Sequence, residues 1–172
     1  MKLLRFLIPA LVILDSSGAA HAEGGSGAYV RADLGWSYTD WGDGDNAFVG
    51  GGGFGYQFND WLRSDVTVSY AGSYDIGWWY GGSMSTVSGL ANVYLDIPTN
   101  TAFTPYVGGG AGMTWVDRNE NDSAFAFDLT GGLAIDVSES FTLDFGYRYV
   151  NTNAEGSNLQ QHEGLAGIRF GF

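Results

Sequence analysis

Few residues in this sequence could do covalent or acid–base chemistry. It has no cysteine, and its two histidines are His21, close to the N-terminus, and His162. A histidine acts as a general base only with a nucleophile or an acid beside it. Ser157 and Glu163 are near His162 in sequence, but residue alternation puts Glu163 on the opposite face, and no His-x-Ser pair occurs. A lone histidine at the start of a strand reads more simply as a polar residue at an interface. No catalytic residue is expected, and no cofactor. Asp40, Asp43 and Asp45 sit in Asp-Trp-Gly-Asp-Gly-Asp, a carboxylate spacing reminiscent of calcium loops. The twelve-residue frame and its closing glutamate are missing, so they read as solvated loop charge and no metal site is expected. Trp78, Trp79 and Tyr80 could anchor a partner or rest among lipid headgroups, and the second is expected. What the chain does carry is ionic chemistry: Arg31, Arg63, Arg148 and Arg169 alternate in register with Asp33, Asp65, Asp128, Asp144 and Glu163.

The elements that must position these charges are strands. In the last eleven residues, His162 to Phe172, every second position counted back from the end (Phe172, Phe170, Ile168, Ala166, Gly164) is apolar or small. Successive side chains of a strand point to opposite faces, which gives this period of two. Seven earlier runs alternate in the same way: Ala28–Tyr38, Ala47–Phe58, Trp61–Ala71, Met84–Leu95, Phe103–Val116, Ala124–Val137 and Phe141–Val150. Between them, longer polar links alternate with shorter turns at Asn59-Asp60, Asp96–Ala102 and Ser138–Ser140. Runs of about ten residues or more suit a tilted membrane crossing. No segment after the N-terminal one has a helical period.

Residues 1–22 read as an export signal. Lys2 and Arg5 precede a leucine-rich run, and Ala20-His21-Ala22 supplies small residues before a cleavage point after Ala22. That apolar run is too short for a transmembrane helix, which needs about 20 residues. Residues 23–172 then form one domain. The formal net charge of −12 becomes −13 once that segment is removed, since it carries Asp15, Lys2 and Arg5. So acidic a chain is a poor ligand for nucleic acid, which needs a basic face. The aromatic content of 16% excludes a disordered chain. An exported protein without cysteine is also held together without disulfides.

Alternation does not say which face is inside. A soluble barrel would bury the bulky face around a ligand. Here the other face is mostly Gly, Ala, Ser and Thr, with few of the long charged chains that cover soluble surfaces. An eight-stranded interior is only just wide enough for side chains to fill, so the aromatic face would overpack it. Bulky side chains outward and small ones inward is the arrangement of a membrane barrel. Arg31, Arg63, Arg148 and Arg169 fall on the small face, and so do Asp33, Asp65, Asp128, Asp144 and Glu163. An arginine facing lipid at mid-membrane would cost about 2–4 kcal/mol, whereas arginines paired with carboxylates inside avoid that cost. The expectation is an all-β, eight-stranded antiparallel transmembrane barrel. Its lumen is plugged by an ion-pair network of Arg31, Asp33, Arg63, Asp65, Asp128, Asp144, Arg148, Glu163 and Arg169.

With its strands placed, the chain resembles the small eight-stranded outer-membrane barrels of OmpA and OmpX type, and in particular the alphaproteobacterial porin-like surface proteins of the outer-membrane β-barrel domain family. The stretches that carry the resemblance are TPYVGGGAG (104–112), LDFGYRY (143–149) and GLAGIRFGF (164–172). It implies residence in the bacterial outer membrane, reached through the periplasm. It also implies a C-terminal sorting strand read by the barrel assembly machinery through Ile168, Phe170 and Phe172. Nothing follows Phe172, so the peptidoglycan-binding domain of full-length OmpA-type proteins is not expected. The functional expectation is a non-enzymatic barrel that supports outer-membrane integrity, its acidic loops meeting lipopolysaccharide through divalent cations. The alternatives are a surface binding module acting through those loops and a narrow pore of low conductance.

Overall fold

The computed structural model describes residues 26–39, 45–75, 83–117, 121–154 and 157–172. Among the described residues eight strands follow one another without a helix: β1 (Gly27–Thr39), β2 (Asp45–Asn59), β3 (Leu62–Asp75), β4 (Ser83–Asp96), β5 (Phe103–Asp117), β6 (Asn121–Ser138), β7 (Phe141–Ala154) and β8 (Ser157–Gly171). Each pairs antiparallel with its neighbours, and β8 pairs with β1 to close a barrel. The closing seam runs from Tyr29↔Gly171 to Thr39↔Gln161. Below its end the Phe172 N–H still donates to the Ala28 carbonyl (3.1 Å). Closure leaves no strand edge unpaired, which a structure within lipid requires.

The barrel sorts side chains as the sequence alternation predicts. Leu34, Trp36, Val66, Val68, Leu129 and Val137 stand outward, each more than half exposed, while Asp33, Arg63, Asp65, Asp128, Asp144 and Glu163 are buried. Exposed leucine and tryptophan side by side are stable only in contact with lipid. No helix among the described residues is long and apolar enough to cross a membrane.

Strand lengths of 13 to 18 residues exceed several of the runs read from the sequence. β3 continues through Asp75, past a register shift between Ala71 and Tyr74, and β8 begins at Ser157 rather than His162. Cross-strand backbone pairing extends these elements beyond the point where hydrophobic alternation fades. Asp96, read as the start of a turn before Pro98, is the last residue of β4. At the tight β2–β3 turn the Asn59 side-chain oxygen accepts from the backbone N–H groups of Trp61 (3.0 Å) and Leu62 (2.9 Å). Asparagine suits turns because it caps backbone donors in this way.

The proposed signal segment 1–22, with Ala20 and Ala22, lies outside the described residues. So do Asp40, Asp43 and the Trp78-Trp79-Tyr80 cluster.

Candidate functional site

The three short turns and both ends of the barrel wall lie at one end, and the β1–β2, β3–β4, β5–β6 and β7–β8 connections at the other. In outer-membrane barrels the short turns face the periplasm. On that orientation the lumen has two tiers. The ion pairs occupy the middle and the periplasmic half.

Arg31 is the hub. Its Nε and Nη2 grip Asp33 in a two-point contact (3.0 and 2.7 Å), and its Nη1 donates to Asp65 on β3 (3.0 Å). Asp65 is fully engaged: the Tyr29 hydroxyl donates to one oxygen (3.1 Å) and the Asn92 amide to the other (2.8 Å). Arg63, fully buried, donates from Nε to both oxygens of Asp96 (3.0 Å each). Arg148 donates to Glu163 through Nε and Nη2 (2.6 Å each). Arg169 donates to Asp144 (2.7 Å). Charge-assisted bonds this short are the strong ones.

Three tyrosines complete the lower tier. The Arg63 guanidinium lies 4.0 Å from the Tyr94 ring centroid and 4.7 Å from that of Tyr106. The two rings meet edge to face at 5.9 Å. A desolvated cation over an aromatic face gains about 2 kcal/mol or more. The glycines on this face provide the room. A Cβ on Gly55 would collide with the Tyr29 ring, one on Gly108 with Tyr94, and one on Gly132 with the Tyr106 hydroxyl.

Above the ion pairs the described lumen residues are uncharged. Leu90, Ala126 and Val150 form one buried cluster, and Ala47, Val49 and Ala71 form another with Leu165 packed against it. Near them Ser88 and Thr114 share a hydrogen bond (2.9 Å) and Thr152 reaches Thr114 (3.5 Å). An apolar layer therefore lies above the ionic one.

On the outer surface His162 faces away from the lumen. Its Nδ1 shares a short hydrogen bond with the Tyr147 hydroxyl (2.5 Å), and its ring lies 5.3 Å from that of Tyr149. Glu163 points the other way, into the lumen, so the two do not form an acid–base pair. Beneath them a shallow apolar groove runs over Gly164, walled by Leu34, Trp36, Phe48 and Phe145. The described residues hold no cluster of three or more His, Cys, Asp or Glu side chains that could bind a metal ion.

Of the nine residues expected in the lumen network, the structure brings eight together as ion pairs. The exception is Asp128. It is buried in the lumen but accepts only from Thr130 (2.9 Å) and has no guanidinium partner. The four arginines are already taken, by Asp33 with Asp65, by Asp96, by Glu163 and by Asp144. Sequence reasoning missed Asp96, Asn92 and the tyrosines Tyr29, Tyr94 and Tyr106. Parity alone would have put Tyr29 beside Arg31 and Tyr94 beside Asn92. Ile168 and Phe170 of the terminal strand face outward, about half exposed, and so does Phe172.

The chain matches the family described as "Outer membrane protein beta-barrel domain" over residues 7–172. An uncharacterized protein of Brucella abortus (strain 2308) and one of Brucella suis biovar 1 (strain 1330) are each 31% identical to it over 144 aligned positions. The alignments cover 60% of this chain and 51% of theirs, so it spans about half the length of those relatives. Among solved structures, Neisserial surface protein A superimposes with a TM-score of 0.75 at 24% identity, covering 87% of this chain and all of the other. OprG from Pseudomonas aeruginosa gives 0.57 at 13% identity, covering 87% and 97%. The outer membrane enzyme PagL gives 0.55 at 13%, covering 84% and 99%. These likenesses are of fold. Together with the closed eight-stranded wall and its lipid-facing exterior, the family match means that the chain belongs to the outer membrane protein β-barrel domain family and resides in the bacterial outer membrane.

Proposed function

We propose that this protein is a non-enzymatic structural barrel that contributes to the integrity and surface structure of the outer membrane. The observation that carries this reading is the filled lumen: an apolar tier stacked on an ion-paired tier is built for rigidity rather than passage. With its interior committed to stability, the protein's partners are those that meet its outside. The aromatic outer face contacts lipid. The acidic extracellular side, in a chain of net charge −12, approaches lipopolysaccharide through bridging divalent cations. The terminal strand, with Ile168, Phe170 and Phe172, is the segment offered to the barrel assembly machinery.

The experiment is the sensitivity to chelator and detergent of a strain lacking this gene, beside a plasmid-restored strain. The expected result is sensitivity in the deletion and recovery with the plasmid. Recovery should be weaker when the plasmid encodes Asp40, Asp43, Asp45, Asp117 and Asp122 all changed to asparagine. Equal growth of deletion and parent overturns the structural role and makes the loops, as a surface for binding other cells or matrix, the better reading.

A further inference from the structure

The lumen contains two buried acceptors that face each other with nothing to join them. Asp128 is 2% exposed. Its Oδ2 accepts from the Thr130 hydroxyl (2.9 Å), and its Oδ1 has no donor. Asn92 is 3% exposed. Its amide nitrogen donates to Asp65 Oδ1 (2.8 Å) and Thr67 Oγ1 (3.1 Å). Those bonds fix the orientation of the amide, and its own Oδ1 is left without a donor. Both orphan oxygens lie within 2.5 Å of the point where a Cβ on Gly110 would stand, so they converge on one spot that glycine keeps clear. Buried polar atoms are almost always paired, and an exception calls for a cause.

We propose that Asp128 is a neutral carboxylic acid whose Oδ1–H donates to Asn92 Oδ1. One proton satisfies both orphans. An ionised Asp128 would instead set a full negative charge against the negative end of the Asn92 amide, which is already turned by Asp65. The surroundings favour the neutral form. Asp65 on β3 is paired with Arg31. The guanidiniums within electrostatic reach are Arg31 on β1 and Arg148 on β7. Arg31 is held by Asp33 and Asp65, and Arg148 by Glu163. Tyr94 on β4 is turned toward Arg31 and Asp65, and on β6 only the Thr130 hydroxyl addresses Asp128. The site is thus a proton-binding site, filled from solvent as the barrel folds.

Infrared spectroscopy of the folded barrel in lipid tests this directly. The expected result at neutral pH is the carbonyl stretch of a protonated carboxylic acid, shifted in protein grown with carbon-13 carboxyl-labelled aspartate. Asp128→Asn should lose the band and still fold, because the asparagine carbonyl can accept from Thr130 while its amide donates to Asn92. Asp136→Asn alters an exposed aspartate near the end of β6, bonded to Thr142, and should leave the band in place. Absence of the band in the unaltered protein overturns the proposal, since a water or a metal ion bridging an ionised Asp128 gives none. Persistence of the band in Asp128→Asn overturns the assignment as well. The labelled unaltered protein decides the matter even where a variant does not fold.

Discussion

The Arg148–Glu163 pair offers the sharpest test of how the lumen stabilises the barrel. The two residues face each other across the β7–β8 register, are 8% and 3% exposed, and bond through two nitrogens at 2.6 Å. Removing either partner leaves a full charge buried without its counter-charge, and such losses cost about 3–5 kcal/mol. Arg148→Met alone and Glu163→Gln alone should each therefore lower unfolding free energy by about that amount. At 1.4 kcal/mol per decade this is a fall of roughly a hundred-fold or more in the ratio of folded to unfolded barrel. The double variant should lose much less than the sum, because both the charge and its counter-charge are gone and the desolvation cost goes with them. The assay is reversible urea unfolding in phospholipid vesicles, followed by tryptophan fluorescence, on the four proteins of the cycle. Single variants that each cost under about 1 kcal/mol would place the pair with exposed ion pairs. Additive losses would show that the two residues do not act on each other. Either result refutes the reasoning.

The glycine seats make a second prediction. Gly55→Val should block folding by occupying the place of the Tyr29 ring, whereas Gly164→Ala should be tolerated because nothing lies within 4 Å of its Cβ position; the heat-modifiable band on cold gel electrophoresis reads both, and equal folding of the two would undo the argument. The two-tier lumen makes a third: the unaltered protein in a planar bilayer should pass no large steady current, and a sustained large conductance would show that the two tiers do not close the interior.

Much of this structure can be read from alternation. The period of two places Arg31, Arg63, Arg148 and Arg169 on one face with Asp33, Asp65, Asp144 and Glu163, and side-chain bulk together with the cost of charge in lipid says which way that face points. The inward tyrosines could not be read so simply. Tyr29, Tyr94 and Tyr106 stand on the small face by parity, yet an eight-stranded lumen has little room for volume. It accepts them because Gly55, Gly108 and Gly132 lie opposite, a match that depends on strand register and not on local sequence. Asp96 was hidden by its neighbour Pro98, which reads as a turn, although β4 carries the carboxylate into the lumen to meet Arg63. The apolar tier was missed for a related reason. Leu90, Val150 and Leu165 sit at inward positions among small polar residues, and a bulky side chain there breaks the simple rule of bulk outward.

These departures share a physical cause that bears on function. A narrow barrel must fill its interior without water, and each inward position is chosen against its neighbours across the lumen: ring against glycine, guanidinium against carboxylate, leucine against alanine. Such positions are tightly coupled, so a change at one demands a change at another. The outward positions obey a looser rule, since lipid accepts any apolar shape, and the extracellular connections obey a looser one still. Variation that creates a new role without unfolding the barrel can therefore arise only on the outside. This is why one wall can serve proteins as different in kind as a surface protein and an enzyme. Under the role proposed above, this protein acts at its acidic rim and lipid-facing belt, with the lumen supplying the rigidity on which both depend.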